Sequence, residues 1–357
     1  MTDIHIDGSR GEGGGQVLRS SLTLSMLTGQ PLHIDNIRAR RSKPGLRPQH
    51  LASVKAAAAI SQAEVTGASP GSATLLFRPG RVQPGQYRFD IGTAGSTSLV
   101  LQTIFLPLAL ADAPSTVTIT GGTHVPWSPC FHYLDRQWMP LLRRMGFDAR
   151  LTLERTGFYP RGGGRIRAEI QPAGTLRPVE LTERGELQRV SGISAVANLP
   201  DHIAKRQRQQ VERRLGGWVP DMEIETMPMS SSGKGTVVFL QAECDDGGGG
   251  FTALGKRGMP AERVADEAVD QLEAYLASDS ALDKHLADQI ILPLVLASGQ
   301  SSLSTAKVTQ HLLTNIEVVQ AFLNVEVVVE DELSYPRSVR IESIGLSSYS
   351  FLPPYLQ

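Results

Sequence analysis

The sequence predicts an α/β protein of the α+β kind: three α/β repeats that carry one inserted α+β module. Three observations lead there. One order of polar loop, apolar helix, short β-branched strand, second helix and second strand recurs three times. The first helix of each unit stops near residues 29, 112 and 299, so the second spacing exceeds the first by about 100 residues, the size of a small domain. At 357 residues the chain also exceeds the usual single-domain range.

In the first unit, Gln16–Thr28 is the helix and Gly29 its stop, since glycine takes the left-handed turn that ends helices. Leu32–Ile37 reads as a strand and His50–Ile60 as the second helix. The second unit repeats this with helix Ser98–Ala111, strand Ser115–Thr120, helix Phe131–Met145 and strand Asp148–Glu154. The third has helix Leu286–Ser298 stopped at Gly299, strand Ser302–Ala306, helix His311–Phe322 and strand Val325–Val329. The extra residues fall between roughly Thr182 and Ser278, where MSSSGKG and CDDGGGGF are turn-rich. There Arg189–Asn198 and Thr236–Glu243 read as strands, and Asp201–Leu215 and Ala261–Leu276 as helices. The expected division is 1–182 with 278–357 for the large domain and 183–277 for the insert.

Composition narrows the function. Hydrophobic residues at 41% and charged residues at 20% are those of a globular protein. A net charge of -1 argues against a surface that coats long nucleic acid, yet leaves room for a few local cations that grip a strand end. Two cysteines are too few for a disulfide framework. MTDIHIDGSRGEGGG lacks the layout of a secretory signal. The apolar runs Leu99–Ala111 and Ile290–Ala297 are short and broken by proline, so no membrane span and a cytoplasmic location are expected.

The richest stretch is GSRGEGGGQVLRSSL followed by NIRARRSKPGLRPQH. Gly11, Gly13, Gly14 and Gly15 allow a backbone to close around an anion at a helix start; a tight strand-to-helix turn would use them equally. Glu12 within that loop suits a divalent metal that bridges phosphates, or is simply solvated. Arg19 sits one to two turns into an otherwise apolar and small helix. Arg38, Arg40, Arg41, Lys43 and Arg47 fall in a shaped loop without an acidic residue, which fits bidentate phosphate binding as well as a solvated basic loop; Gln49 and His50 open a helix directly after it. HLADQ puts His285, Asp288 and Gln289 on one helical face, away from Leu286, Ile290 and Leu294. That face answers either to a polar ligand or to a capping turn. His311 opens HLLTNIEVVQAF, where the helix terminus disfavours protonation and attracts phosphate; a first-turn histidine is nonetheless more often structural.

Other chemistries fall away. His124, Cys130 and His132 lack a recognised zinc spacing and a second half-site. There is no GxSxG elbow, no HExxH and no Walker loop, and SGKG lacks the upstream glycine. Trp127, Trp138 and Trp218 are scattered and form no stacking platform in the sequence.

Taken together, DGSRGEGGGQVLRSSLTLSMLTGQP, IRARRSKPGLRPQHL, GTAGSTSLVLQTIFLP, GFYPRGGG, HLADQIILPL and HLLTNIEVV resemble the RNA 3'-terminal phosphate cyclase family, in that family's order from Asp7 to Val319. The resemblance implies a large domain of three βαβαββ-type repeats with a smaller inserted α+β domain, and a three-step, ATP-dependent reaction. A histidine takes AMP from ATP, the AMP passes to an RNA 3'-phosphate, and the neighbouring 2'-hydroxyl closes a 2',3'-cyclic phosphate. By matching position it implies His311 as the adenylated nucleophile and Glu12 as the contact for magnesium or manganese. It implies Arg19, Arg38, Arg41, Gln49 and His50 at the phosphates, and Gln102, Asp288 and Gln289 at the nucleotide. His285 would lie near adenine, where many relatives carry tyrosine, with Pro129 on the opposite face. Arg161 stands where a small residue is frequent in the family. Two rival readings are a non-enzymatic cyclase-like assembly factor, which would lack the histidine, and an enolpyruvyl transferase, which would leave the HLLTN helix unexplained.

Overall fold

The computed structural model describes residues 3–330 and 337–344; residues 331–336 and the stretch beyond 344, both assigned above to the large domain, lie outside the described residues. The first unit contains β1 (Ile4–Asp7), α1 (Gly15–Thr28), β2 (Leu32–Asp35), α2 (Pro48–Ser61), β3 (Glu64–Thr66) and β4 (Leu75–Arg78). Here β1 and β2 run parallel, β4 lies antiparallel to β2, and the sheet order is β1-β2-β4-β3.

The second unit contains β5 (Gln86–Asp90), α3 (Thr97–Ala109), β6 (Ser115–Gly121), α4 (Phe131–Tyr133), a π-helical turn (Leu134–Trp138), α5 (Met139–Met145), β7 (Asp148–Arg155) and β8 (Gly164–Gln171). Its sheet order, β5-β6-β8-β7, repeats the first connectivity.

After β9 (Glu180–Leu181) come β10 (Leu187–Ala197), α6 (His202–Leu215), β11 (Met222–Pro228), β12 (Gly235–Cys244), β13 (Gly248–Leu254) and α7 (Ala261–Leu276), with sheet order β11-β10-β12-β13. The chain continues through α8 (Lys284–Leu296), β14 (Ser298–Thr305), α9 (Gln310–Phe322), β15 (Glu326–Glu330) and β16 (Arg337–Ile344). These last strands join β9 in the order β15-β16-β14-β9; read from β9, this is again one parallel pair followed by two antiparallel neighbours. The molecule is thus a mixed α/β protein with four four-stranded sheets among its described residues.

The helices α1, α3, α8 and α9 fill the centre. In α1 every residue from Val17 to Thr28 is buried, so its serines and threonines need partners inside the protein. Thr23 donates to a carbonyl of its own helix (Arg19 O, 3.0 Å) and lies 2.8 Å from Thr103 O of α3, which ties the two helices at a close approach. One apolar core runs through all three repeated units, and a second is enclosed between the β10–β13 sheet and α6 and α7.

Three expectations about elements change. Gly299 does not stop the helix: α8 gives way at Ala297 to an extended backbone, and Gly299 lies within β14, paired with Ser343. The carbonyls at the helix end are met instead by the Ala297 amide, at Leu294 O, and by the Ser343 hydroxyl of β16, at Val295 O. CDDGGGGF is not a turn throughout, because Gly248–Leu254 forms β13. A Cβ on Gly250 would approach Gln137 Cγ to 2.7 Å and Tyr133 Cδ2 to 2.8 Å, so a glycine strand lets α4 and the π-turn pack on it. The expected helix Phe131–Met145 is continuous but widened by the π-turn, which carries Trp138 into the core against Phe105.

Candidate active site

The loop between β1 and α1 is shaped by contacts from elsewhere in the chain. Gly11 and Gly13 both adopt φ +56°. A Cβ on Gly11 would lie 2.1 Å from Thr314 Oγ1, and one on Gly15 would lie 2.4 Å from His50 Nε2, so glycine is required where α9 and α2 press on this backbone. The Glu12 amide donates to Thr314 Oγ1 at 3.3 Å, and Thr314 donates to Gln310 O at 2.6 Å. The Glu12 side chain is only 9% exposed. Its Oε2 pairs with Arg41 Nη2, its Oε1 accepts the Gln16 amide at 3.3 Å, and His311 Nδ1 stands 3.6 Å away.

Two capping residues aim the third unit's polar groups at the same place. Asp283 caps α8 by accepting the amides of His285 (2.8 Å) and Leu286 (3.1 Å), and it also receives the Tyr133 hydroxyl and the Gly250 amide. Thr309 caps α9 by accepting the Leu312 amide at 3.1 Å, while its own hydroxyl donates to Asp288 Oδ1 at 2.5 Å. His311 follows in the first turn, half exposed. Asn315 donates to Asp288 O at 2.7 Å and accepts from Ser20 at 2.6 Å and Gln16 at 3.0 Å, which locks α1, α8 and α9 together. Gln102 donates to Gln289 Oε1 at 2.6 Å, and Gln289 donates to His285 O at 2.8 Å.

Burial governs the electrostatics. It pushes the Asp288 carboxyl up to about 7, helped by the negative charges of Asp283 and Glu12 and opposed by the Thr309 hydrogen bond. Burial also lowers His285, an effect that Asp283 opposes and Lys284 and His311 reinforce. Arg19 is brought down to about 10 by burial, partly offset by Glu12. Its guanidinium donates to Gln16 Oε1 at 2.5 Å, and no carboxylate comes within ion-pair distance of it among the described residues. His50 is held neutral, at about 3, first by burial and then by Arg19, Arg38, Arg47 and Arg41.

A cavity of about 580 Å³ opens between these helices. Arg19, Gln102, Pro129, His285, Asp288, Gln289 and His311 line it, although they are far apart in sequence. Glu12 stands at its edge through His311, Arg41 reaches Glu12, and His50 lies behind Gly15. The other two expected residues do not line it. Gln49 accepts the Ser96 amide at 2.8 Å, and Arg38, at φ +55°, donates to Lys43 O at 2.6 Å and Gly45 O at 3.1 Å, bracing its own loop.

Sequence reasoning missed several participants. Asp283 and Thr309 carry an N-cap signature, an Asp or Thr just before an apolar helix, that could have found them. Tyr133 and Asn315 had no such signal, because their roles depend on partners 150 and 295 residues away. Trp127 lines the cavity mouth at 97% exposure with φ +60°. The trio His124, Cys130 and His132, set aside on spacing, is gathered by the fold into one buried cluster.

A mixed α/β scaffold that converges a first-turn histidine, an unpaired buried arginine and a shielded carboxylate on one cavity defines an enzyme of the phosphate-handling kind. The family model described as RNA 3'-terminal phosphate cyclase matches residues 10–329. Three curated relatives bear the same description. The protein from Ectopseudomonas mendocina is 47% identical over 91% of this chain and 94% of its own. That from Ralstonia nicotianae is 48% identical over 92% and 94%. The Pyrobaculum neutrophilum protein is 44% identical over 96% and 99%. The chain belongs to the RNA 3'-terminal phosphate cyclase family and is an enzyme. The solved enolpyruvyl transferase NikO from Streptomyces tendae overlays with a TM-score of 0.40 at 9% identity, over 98% of this chain and 49% of that one; so loose a match carries no argument. No helix among the described residues is long and apolar enough to cross a membrane.

Proposed function

We propose that this enzyme converts an RNA 3'-terminal phosphate to a 2',3'-cyclic phosphodiester at the expense of ATP, through a covalent histidine–AMP intermediate and an RNA–adenylate anhydride. The observation that carries this reading is the place of His311: it lines, with Arg19, the same cavity from the first turn of α9, beside Glu12. Glu12 Oε1, 3.6 Å from Nδ1, favours the tautomer with its proton on Nδ1, which leaves the lone pair on Nε2 for attack. Nε2 attacks the α-phosphorus of ATP, a nitrogen–phosphorus bond forms, and the bond to the bridging oxygen breaks with departure of pyrophosphate. The AMP then passes to an oxygen of the RNA 3'-phosphate, restoring the imidazole. The 2'-hydroxyl attacks the activated 3'-phosphorus, the ring closes and AMP leaves. The adjacent hydroxyl enters with high effective concentration, so the chain mainly supplies a nucleophile, positive charge and positioning.

The same reading assigns the remaining roles. Gln102, Asp288 and Gln289 hold the nucleoside, and His285 and Pro129 face the base across the cavity. Arg19 and Arg41 meet phosphate, and Arg38, Gln49 and His50 shape the phosphate-facing loop from behind. Glu12 fits a divalent ion, magnesium or manganese: its carboxylate is shielded, and its partner Arg41 is itself nearly half exposed and free to swing aside. Such an ion, when bound, would neutralise charge on the leaving pyrophosphate. We also read residues 1–182 and 278–357 as one three-repeat domain and 183–277 as an insert. The shared connectivity of three sheets and the separate core between β10–β13 and α6–α7 support that division.

The test uses ATP labelled at the α-phosphate, with a divalent metal and without RNA. Wild-type protein should become covalently labelled, and His311→Ala should fold but take no label. A folded wild type that stays unlabelled would favour the assembly-factor reading, and label that survives His311→Ala would move the nucleophile elsewhere.

A further inference from the structure

Beside the cavity wall, outside the machinery described above, Cys130, His124 and His132 converge with all three potential ligand atoms within 4.8 Å of one another. His124 follows β6, Cys130 precedes α4, and His132 lies within α4. His124 Nε2 and His132 Nδ1 are 2.9 Å apart, and the Cys130 thiol meets the Thr252 hydroxyl at 3.4 Å and the backbone amides of His132 and Tyr133. We propose that His124, Cys130 and His132 form a binding site for a borderline-soft divalent cation of the zinc class, which pins the wall carrying Trp127 and Pro129 to α4.

The donor set suits that class, because imidazole and thiolate select such ions over magnesium or manganese. Bonds of about 2.0 Å to nitrogen and about 2.3 Å to sulfur put tetrahedral ligands about 3.3–3.6 Å apart. Shifts of about 1 Å or less bring these three atoms there from their present separations. His124 also has the outer contact such sites use: its Nδ1 stands 2.8 Å from Thr123 Oγ1, which in turn accepts the Gly157 amide at 2.9 Å. Phe158 stacks on His124 and Phe239 lies near His132, giving the apolar surround that strengthens metal–ligand bonds. Thr252, at the thiol, also lines the cavity, so its hydroxyl or a water admitted there can complete four-coordination.

The protons balance simply. Both imidazoles are neutral, so binding through His124 Nε2 and His132 Nδ1 needs only a tautomer shift in one ring, and the thiol releases one proton. Because the thiol must give up its proton to bind, binding weakens as pH falls.

Cobalt(II) is the probe. Full-length protein, stripped with chelator and kept reduced, should bind one cobalt with an intense visible spectrum of tetrahedral type and a near-ultraviolet thiolate-to-cobalt absorption, and zinc should displace it. Cys244→Ser, which alters the other cysteine, should keep that spectrum, and Cys130→Ser should lose it. His132→Gln should weaken cobalt at least about tenfold, the lower bound for losing a supporting contact. Cobalt bound without the thiolate absorption, or the same spectrum in Cys130→Ser, would overturn the proposal and place the metal elsewhere, with Glu12 the first candidate. No cobalt bound by folded wild type would also overturn it.

Discussion

On the outer face of α6 and α7, Arg214 reaches Asp266 at 3.3 Å, Asp270 at 2.7 Å and Glu273 at 2.5 Å, and Arg206 makes a two-pronged pair with Glu262. At the cavity, Arg19 is far more buried yet has only Gln16 as a side-chain partner among the described residues, and Asp288 holds its carboxyl among other negative charges. The first region matches Arg206 and Arg214 to carboxylates within the chain and keeps them near water, where a pair is worth little. The second buries charge without an equal partner, which costs folding free energy and makes sense only if an anion or a proton completes the set. Unmatched buried charge, more than the number of charges, separates the candidate site from the scaffold.

Three measurements can break that contrast. The largest effect is expected for Arg19→Met, which keeps volume and removes the cation. Adenylylation should slow by about 100-fold or more, the scale of losing one donor to a developing charge. Thermal stability should hold or rise, since an uncompensated buried charge is relieved. A lower melting temperature with normal labelling would make Arg19 structural.

A middle-sized effect concerns pH. Because the folded-state carboxyl of Asp288 titrates at about 7, above the usual carboxylate range, its contribution to stability is full below that range and is lost as pH rises toward 7. Asp288→Asn keeps an acceptor for Thr309 and removes the titration. Denaturant unfolding should show the variant gaining on wild type between pH 4 and pH 7, by at most about 4 kcal/mol. Parallel stability curves for the two proteins would refute the raised carboxyl.

The smallest effect belongs to the matched region. Arg214→Ala should cost about 1 kcal/mol in denaturant unfolding and leave adenylylation unchanged. A loss several times larger would show that the α6–α7 pairs are a cooperative network and that the two regions differ less than their geometry suggests.

Much of the fold was legible because burial imposes a period. Leu286, Ile290 and Leu294 repeat at helical spacing and are buried in α8, and Ala261–Leu276 forms α7 at its expected bounds. Several strands escaped notice. Strands β3 and β9 are three and two residues long and β13 opens on three glycines, which weakens their periodic signal. By contrast, β8 is eight residues long and alternates buried with outward residues, so its signal was present along the chain. In the site, residues with unusual local company stood out: Glu12 among glycines, the arginines of the basic loop, and the polar face of HLADQ. Gln49 and Arg38 stood out on the same ground, yet they bond to backbone, at Ser96 and at Lys43 and Gly45. Charge in a loop does not reveal the direction in which a side chain turns.

The sequence by itself determined the α/β class, the family, and the helix that carries His311, because hydrophobic period, glycine placement and motif order are written along the chain. The tertiary structure alone decided that Asp288 would sit beneath Thr309, that Tyr133 would hold Asp283, and that His124, Cys130 and His132 would meet. Each of those depends on which helix faces are pressed together and how deeply. Desolvation and hydrogen bonding act through space, over separations that local residue order does not encode.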